Sequence, residues 1–207
     1  GRHLQTIDAL TSAQRYVCGY NNSGRLISVT DQDGNVTAIE RDGSGNATAV
    51  IAPFGQRTVL LTNADGYFSR VTNPAGEAVQ LTYSSGGLLT TLTNPRGFAS
   101  NYGYDLHGRL TRATDPTGAT KSLTRSGAIR DYTVTITSAL GRKNSYRVQR
   151  QENKDIKLTN VDASGTVTSM LIAQDGRRNT IYADGTAVNI LLAPDPRWGM
   201  LAPVAQS

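Results

Sequence analysis

The residues able to do chemistry are few and scattered. Two histidines, His3 and His107, could serve as bases, a single cysteine, Cys18, could serve as a nucleophile, and Asp31-x-Asp33-x-Asn35 with Asp42 at the twelfth position has the opening spacing of a calcium loop. Each resolves to a plainer reading. His3 lies near the chain's beginning. His107 fills a turn slot that neighbouring segments fill with Ser23, Ser44, Asp65 and Gly86, so a solvated turn residue accounts for it. The calcium loop needs Gly at its sixth position and finds Val36, which leaves an ordinary turn. One cysteine forms no internal disulfide and excludes a metal site built on paired cysteines. No G-x-S-x-G, H-E-x-x-H or G-x-x-x-x-G-K motif is present, so no catalytic, cofactor-binding or metal-binding residue is assigned and the chain reads as a non-enzyme. Asn21, Asn35 and Asn46 form glycosylation sequons that Asn-rich turns generate unaided.

Composition points to the elements that hold these residues. The 207 residues are 38% hydrophobic, 18% charged and 6% aromatic, with 21 Gly and 7 Pro, a balance that favours strands and turns over helices. The net charge of +5 is spread as single Arg residues beside turns, whereas a nucleic-acid binder concentrates it on one face. No apolar run reaches the roughly 20 residues of a membrane span, so no membrane insertion is expected. The first residue is Gly and residues 1–10 lack a signal pattern, which reads as a processed or truncated piece of a longer chain.

The strongest signal is a period of 21 residues. Gly24, Gly45, Gly66, Gly87 and Gly108 form one column, and Gly34, Gly55, Gly76, Gly97 and Gly118 form a second. Pro53, Pro74, Pro95 and Pro116 stand two residues before the second glycine in four successive units. Asn73-Pro74-Ala75-Gly76 and its equivalents have the residue order of a type I turn, and the other glycine column supplies a second reversal about ten residues away. One unit is therefore two antiparallel strands and two turns. Ile39, Leu60, Leu81, Tyr102 and Leu123 recur with the same period and are expected to form a buried row. Leu26 and Val29, with their equivalents, stand three apart, which strict alternation puts on opposite faces. Either a bulge lies between them, or the Leu column packs beside the turn.

The segment Tyr102-Gly103-Tyr104-Asp105-Leu106-His107-Gly108-Arg109-Leu110, followed by Thr114-Asp115-Pro116-Thr117-Gly118, resembles the tyrosine-aspartate (YD) repeat, also called the RHS repeat. Tyr20-Asn21-Asn22-Ser23-Gly24-Arg25-Leu26 is a degraded copy, and the middle units replace the Tyr-Asp pair with Arg41-Asp42, Thr62-Asn63 and Tyr83-Ser84. The resemblance implies an all-β fold, an antiparallel β-meander of two-strand repeats whose curved sheet forms part of a spiralling shell. Such shells occur in bacterial RHS proteins, insecticidal toxin complexes and teneurins. Toxin-bearing relatives carry two closely placed Asp-Pro-x-Gly motifs associated with self-cleavage; this chain has one, in an ordinary repeat turn, and Asp195-Pro196-Arg197-Trp198-Gly199 has a different spacing. No self-cleavage carries over.

The organisation expected is a lead-in strand over 1–19, five regular repeats over 20–125, an irregular continuation with longer strands over 126–193, and an extended Pro-rich tail over 194–207. The function expected is a wall segment of a secreted or surface-exposed repeat protein, scaffold or cargo container. Its partners would be flanking repeats of the same polypeptide and an encapsulated toxin, with edge-mediated self-association. The alternative is an adhesin in which Tyr67, Tyr83, Tyr104 and Arg109 engage carbohydrate or protein.

Overall fold

The computed structural model describes residues 1–205. Among them are nineteen strands and no helix. The chain divides into two units at Asn101 and Tyr102.

In the first unit β1 (Gln5–Ile7), β2 (Gln14–Tyr20), β3 (Leu26–Asp31), β4 (Val36–Arg41), β5 (Ala47–Ile51), β6 (Arg57–Thr62), β7 (Phe68–Thr72), β8 (Ala78–Tyr83) and β9 (Leu89–Thr93) follow one another. Each pairs antiparallel with its sequence neighbour. The first residues of β10 (Ala99–Tyr104) close the unit by pairing with β9. The second unit repeats the pattern with β11 (Leu110–Thr114), β12 (Thr120–Gly127), β13 (Asp131–Thr137), β14 (Lys143–Arg150), β15 (Ile156–Val161), β16 (Val167–Ile172), β17 (Arg177–Ile181), β18 (Ala187–Asp195) and β19 (Gly199–Ala205). The lead-in over 1–19 thus holds two strands.

The tail differs from its expectation. Pro194 lies in β18 and Pro203 in β19, and the two strands form a hairpin. Proline is tolerated because β18 beyond Leu192 is paired on the β19 side only, so ladder donors are not required on both sides. Residues 206 and 207 of the predicted tail lie outside the described residues.

One turn design serves both glycine columns. The first turn residue donates its amide to the carbonyl four residues on, and the fourth residue donates back to the first, as in Asp31 N to Asn35 O at 3.0 Å and Gly34 N to Asp31 O at 3.2 Å. This is a type I turn followed by a left-handed residue. Gly34, Gly55, Gly76, Gly97 and Gly118 take φ between +81° and +88°, and Gly24, Gly45, Gly66, Gly87 and Gly108 between +73° and +86°. An Asx at the first position adds a side-chain clamp: Asn94 Oδ1 accepts the amides of Arg96 and Phe98, each at 3.0 Å. Lys154 occupies the glycine slot of the turn at 151–155 with φ +69°.

The register resolves the three-residue spacing in favour of the bulge. Tyr20 opposes Leu26 while Gly19 opposes Ser28, so Ile27 is the extra residue; Thr48, Ser69 and Thr90 repeat this in the next three hairpins. The bulge returns Leu26, Ala47, Phe68 and Leu89 to the face that carries Val29, Val50, Val71 and Leu92. On that face Ile39 stands opposite Val50, Leu60 opposite Val71, Leu81 opposite Leu92, and Leu123 opposite Ile136. The opposite face is mixed, with Ile51, Val59 and Leu61 among polar and small residues. There Arg57 on β6 reaches across β5 to Glu40 on β4 through two 2.6 Å bonds, with buried Ala49 in between.

The expected buried row is half-buried instead: Ile39, Leu60, Leu81, Tyr102 and Leu123 all retain part of their surface. The reason is that neither unit contains a second layer to lie on the apolar face. The chain exposes 13972 Å², where a compact chain of 22.1 kDa exposes about 9,300 Å².

Two outcomes follow. Gly76→Ala, where the added methyl meets nothing within 4 Å, is expected to cost about 1 kcal/mol through φ alone, and Lys154→Gly to gain a similar amount. Urea denaturation midpoints of the two variants measure both. Leu81→Ala is expected to cost about 1 to 2 kcal/mol, below the cost in a closed core, because the side chain keeps part of its surface in water.

Candidate functional site: the tyrosine and arginine row along one rim

The turns that lead from even-numbered to odd-numbered strands make one rim of each unit, and along it three hairpins of the first unit are fastened to the chain before them. The residue opposite the bulge supplies the fastening. Tyr83 donates its hydroxyl to the carbonyl of Phe68 at 2.9 Å, and Tyr20 donates to His3 O at 2.6 Å. Arg41, in the equivalent position, donates to Leu26 O from Nε at 3.1 Å and Nη2 at 2.8 Å, and to Gly45 O from Nη1 at 2.9 Å. A guanidinium thus replaces a phenol by reaching the same carbonyl with two donors.

A second set of contacts crosses the rim beside the first. Arg25 donates to Ser44 O at 2.6 Å and lies over Gly45, where a methyl would fall on its guanidinium. Tyr67 lies over Gly87 in the same way and stacks on Tyr83 with ring centroids 5.0 Å apart. Arg2 covers Gly24 and approaches the Tyr20 ring at 5.7 Å. Gly24, Gly45 and Gly87 therefore meet two demands, positive φ and close approach of a neighbour, whereas Gly66 in the same column has nothing within 4 Å and meets only the first. Gly34, Gly55, Gly76, Gly97 and Gly118 on the other rim have nothing within 4 Å and meet only the first.

Of the residues considered for ligand binding, Tyr67 and Tyr83 come together in the stack, and Arg109 is spent on Asp105 at 2.7 Å. Tyr104 occupies the same column as Tyr83 and is half-buried. The residues considered for chemistry are engaged locally. His3 shares a 2.8 Å hydrogen bond with Thr6, Cys18 is half-buried opposite Val29, and the His107 amide donates to Asp105 at 2.9 Å. Asp31 accepts from the amides of Asp33 and Asn35 and from the Asn35 side chain, so its carboxylate organises a turn.

These turn donors hold several carboxyls below the usual carboxylate range. The Asn35 side chain and amide do so for Asp31, the Thr117 hydroxyl and amide with the Ala119 amide for Asp115, and the Ser164 hydroxyl and Thr166 amide for Asp162. Sequence reasoning missed Asp8. It is 3% exposed, caps its own loop by accepting from Leu10 and Thr11 amides, and pairs with Arg15 at 3.1 Å. Asp followed by a six-residue reversal was the available signal, but it lies outside the 21-residue period.

Fold and rim define a repeat-built β-wall in which each hairpin is hydrogen-bonded to its predecessor. The chain belongs to the teneurin YD-shell family, whose profile matches residues 1–198, and it is accordingly a structural shell element. No curated protein matches it. Among solved structures, the Photorhabdus luminescens Tc holotoxin pore with a substituted TccC3 component aligns with a TM-score of 0.41 at 12% identity, over 92% of this chain and 10% of that one. TcdB2-TccC3 without its hypervariable C-terminal region aligns with a TM-score of 0.39 at 14% identity, over 93% of this chain and 13% of that one. The chain spans roughly a tenth of the length of these proteins.

Tyr83→Phe is expected to cost about 1 kcal/mol by removing one hydroxyl donor. Gly87→Ala is expected to cost more than Gly66→Ala, because only the former displaces a tyrosine; paired thermal melts read the difference. Asp31, Asp115 and Asp162 have native values below the ordinary 3.8. Their stabilisation is present above that value and is lost as pH falls through the lowered native values. Changing all three to Asn keeps an acceptor oxygen in each turn and should flatten this acid limb.

Proposed function

We propose that the chain is a run of wall from a longer secreted or surface-exposed polypeptide, non-catalytic, whose flanking repeats continue the sheet and whose shell encloses cargo. Residues 20–125 supply the regular courses of that wall, and 126–193 continue it with longer strands. The observation that carries this reading is the single layer: a sheet whose periodic apolar column is only half-buried, fastened strand to strand, with Ala49 the one buried hydrophobic among the described residues. A domain meant to stand alone would cover that column with a second sheet or with helices. A wall leaves the covering to other parts of the same polypeptide or to what it contains.

A wall of nearest-neighbour contacts loses stability in increments when shortened. Removing residues 1–41 should leave the remaining strands folded, with far-ultraviolet circular dichroism reduced in proportion and a lower melting temperature. Complete loss of structure on that deletion would instead identify one cooperative domain.

A further inference from the structure

Five aspartates stand directly before glycine: Asp33, Asp42, Asp65, Asp175 and Asp184, all exposed. Such a pair can react within itself, because a glycine without a side chain leaves its amide nitrogen open to attack the carboxyl carbon of the preceding aspartate. The carboxyl has two conditions to meet. It must be neutral, since its hydroxyl departs as water, and it must be free to swing onto the main chain. A carboxylate held by hydrogen-bond donors meets neither. Asp33, Asp65, Asp175 and Asp184 each occupy the third position of a turn whose fourth residue is a glycine with φ between +81° and +88°. In all four the glycine amide donates back across the turn at 3.0 to 3.3 Å. The nucleophile is thus alike at these sites, and the carboxyl decides.

The carboxyls differ. Asp175 accepts from the Arg177 amide at 3.0 Å and from its Nε at 2.6 Å, and Asp184 accepts from the Thr186 amide at 2.9 Å. Asp42, at the first position of its turn, accepts from the Asn46 amide at 2.8 Å and from the Asn46 side chain at 3.1 Å. The Arg177 guanidinium holds Asp175 below the usual carboxylate range, and the Thr186 and Asn46 amides do so for Asp184 and Asp42. Asp33 and Asp65 have no such holders. Among the described residues neither carboxylate accepts a hydrogen bond or enters an ion pair. Only their amides are engaged, donating to the Asp31 and Asn63 side chains at 2.9 and 3.1 Å.

We propose that Asp33 and Asp65 are sites of spontaneous aspartate isomerisation, and that hydrogen-bond donors protect Asp42, Asp175 and Asp184 from it. In the first step the glycine nitrogen bonds to Cγ and the Cγ–OH bond breaks. The hydroxyl leaves with the amide proton as one water, closing a five-membered succinimide. In the second step water adds to the former main-chain carbonyl carbon, whose bond to the glycine nitrogen breaks, so the chain now runs through Cγ. Nothing is oxidised or reduced, and the water released is returned. The isoaspartyl product has one extra carbon in its main chain. That carries Gly34 or Gly66 out of the fourth turn position, breaks its bond to Asp31 O or Asn63 O, and frees the register of β3 with β4 or of β6 with β7. The first unit therefore ages at two defined reversals, whatever the wall encloses.

Peptide mapping of the whole chain, aged at body temperature and neutral pH, tests this, with electron-transfer fragmentation to identify isoaspartate. A synthetic peptide of residues 29–37 sets the time scale of the unrestrained reaction. Isoaspartate at 33 and 65 should accumulate at least about fivefold faster than at 42, 175 and 184, since each unit by which a carboxyl's pKa falls makes its neutral form about tenfold rarer. Arg177→Ala removes the guanidinium from Asp175 and should raise the rate there. Asp33→Glu with Asp65→Glu, whose longer side chains close a ring far more slowly, should leave only the three slow sites. Circular dichroism checks that each variant folds. Equal rates at all five sites overturn the proposal, as does faster conversion at 42, 175 or 184. So does an unchanged rate at Asp175 in Arg177→Ala, or no conversion at 33 and 65 while the peptide converts.

Discussion

Both units are built under one constraint: a single sheet layer must be held together without a layer packed on it. Half-buried valines and leucines contribute only part of the stabilisation that a closed core supplies, so neighbouring strands have to be fixed by other means. The turns provide one. A left-handed fourth residue and an Asx side chain that accepts two amides convert each reversal into a defined structure, and a defined reversal sets the register of both strands it joins. The fastening of Tyr83 to Phe68 O and of Arg41 to Leu26 O provides another, by tying side chains of one hairpin to the backbone of the one before.

The two rims divide these tasks. On the rim that carries Tyr20, Arg41 and Tyr83, Gly24, Gly45 and Gly87 must leave room for Arg2, Arg25 and Tyr67 as well as adopt positive φ. On the other rim the glycines stand free and proline at the second turn position stiffens the reversal, so that rim is open to contacts outside the chain. Acidic residues concentrate in turns, where backbone amides stabilise their charge. The two that stand in strand pairing and form ion pairs, Glu40 and Asp131, meet Arg57 and Arg147.

Much of this was legible in the residues because turns have strict local requirements. Gly34 through Gly118, with Pro53 through Pro116 two residues earlier, announce reversals from sequence alone, and the strands between them follow. Packing was less legible. Ile39, Leu60 and Leu81 form a periodic apolar column whether or not a layer covers them, so periodicity identified the face but not its degree of burial. The bulges at Ile27, Thr48, Ser69 and Thr90 appeared only as an awkward three-residue spacing, because no residue type marks them. The fastening role of Tyr83 and Tyr20 depends on carbonyls fifteen and seventeen residues upstream, backbone groups that no sequence pattern displays. Pro194 and Pro203 argued against strands, yet one-sided pairing accommodates both.

The central claim is that stability here is local and passes from strand to neighbouring strand. Native-state hydrogen exchange resolved by residue tests it most directly. Protection should be highest in the inner strands of each unit, such as β5, β6, β14 and β15, and should decline strand by strand toward β1 and toward β19, with each strand's opening energy distinct. Equal protection across all strands, collapsing together at one denaturant concentration, would show a single cooperative core and contradict the account.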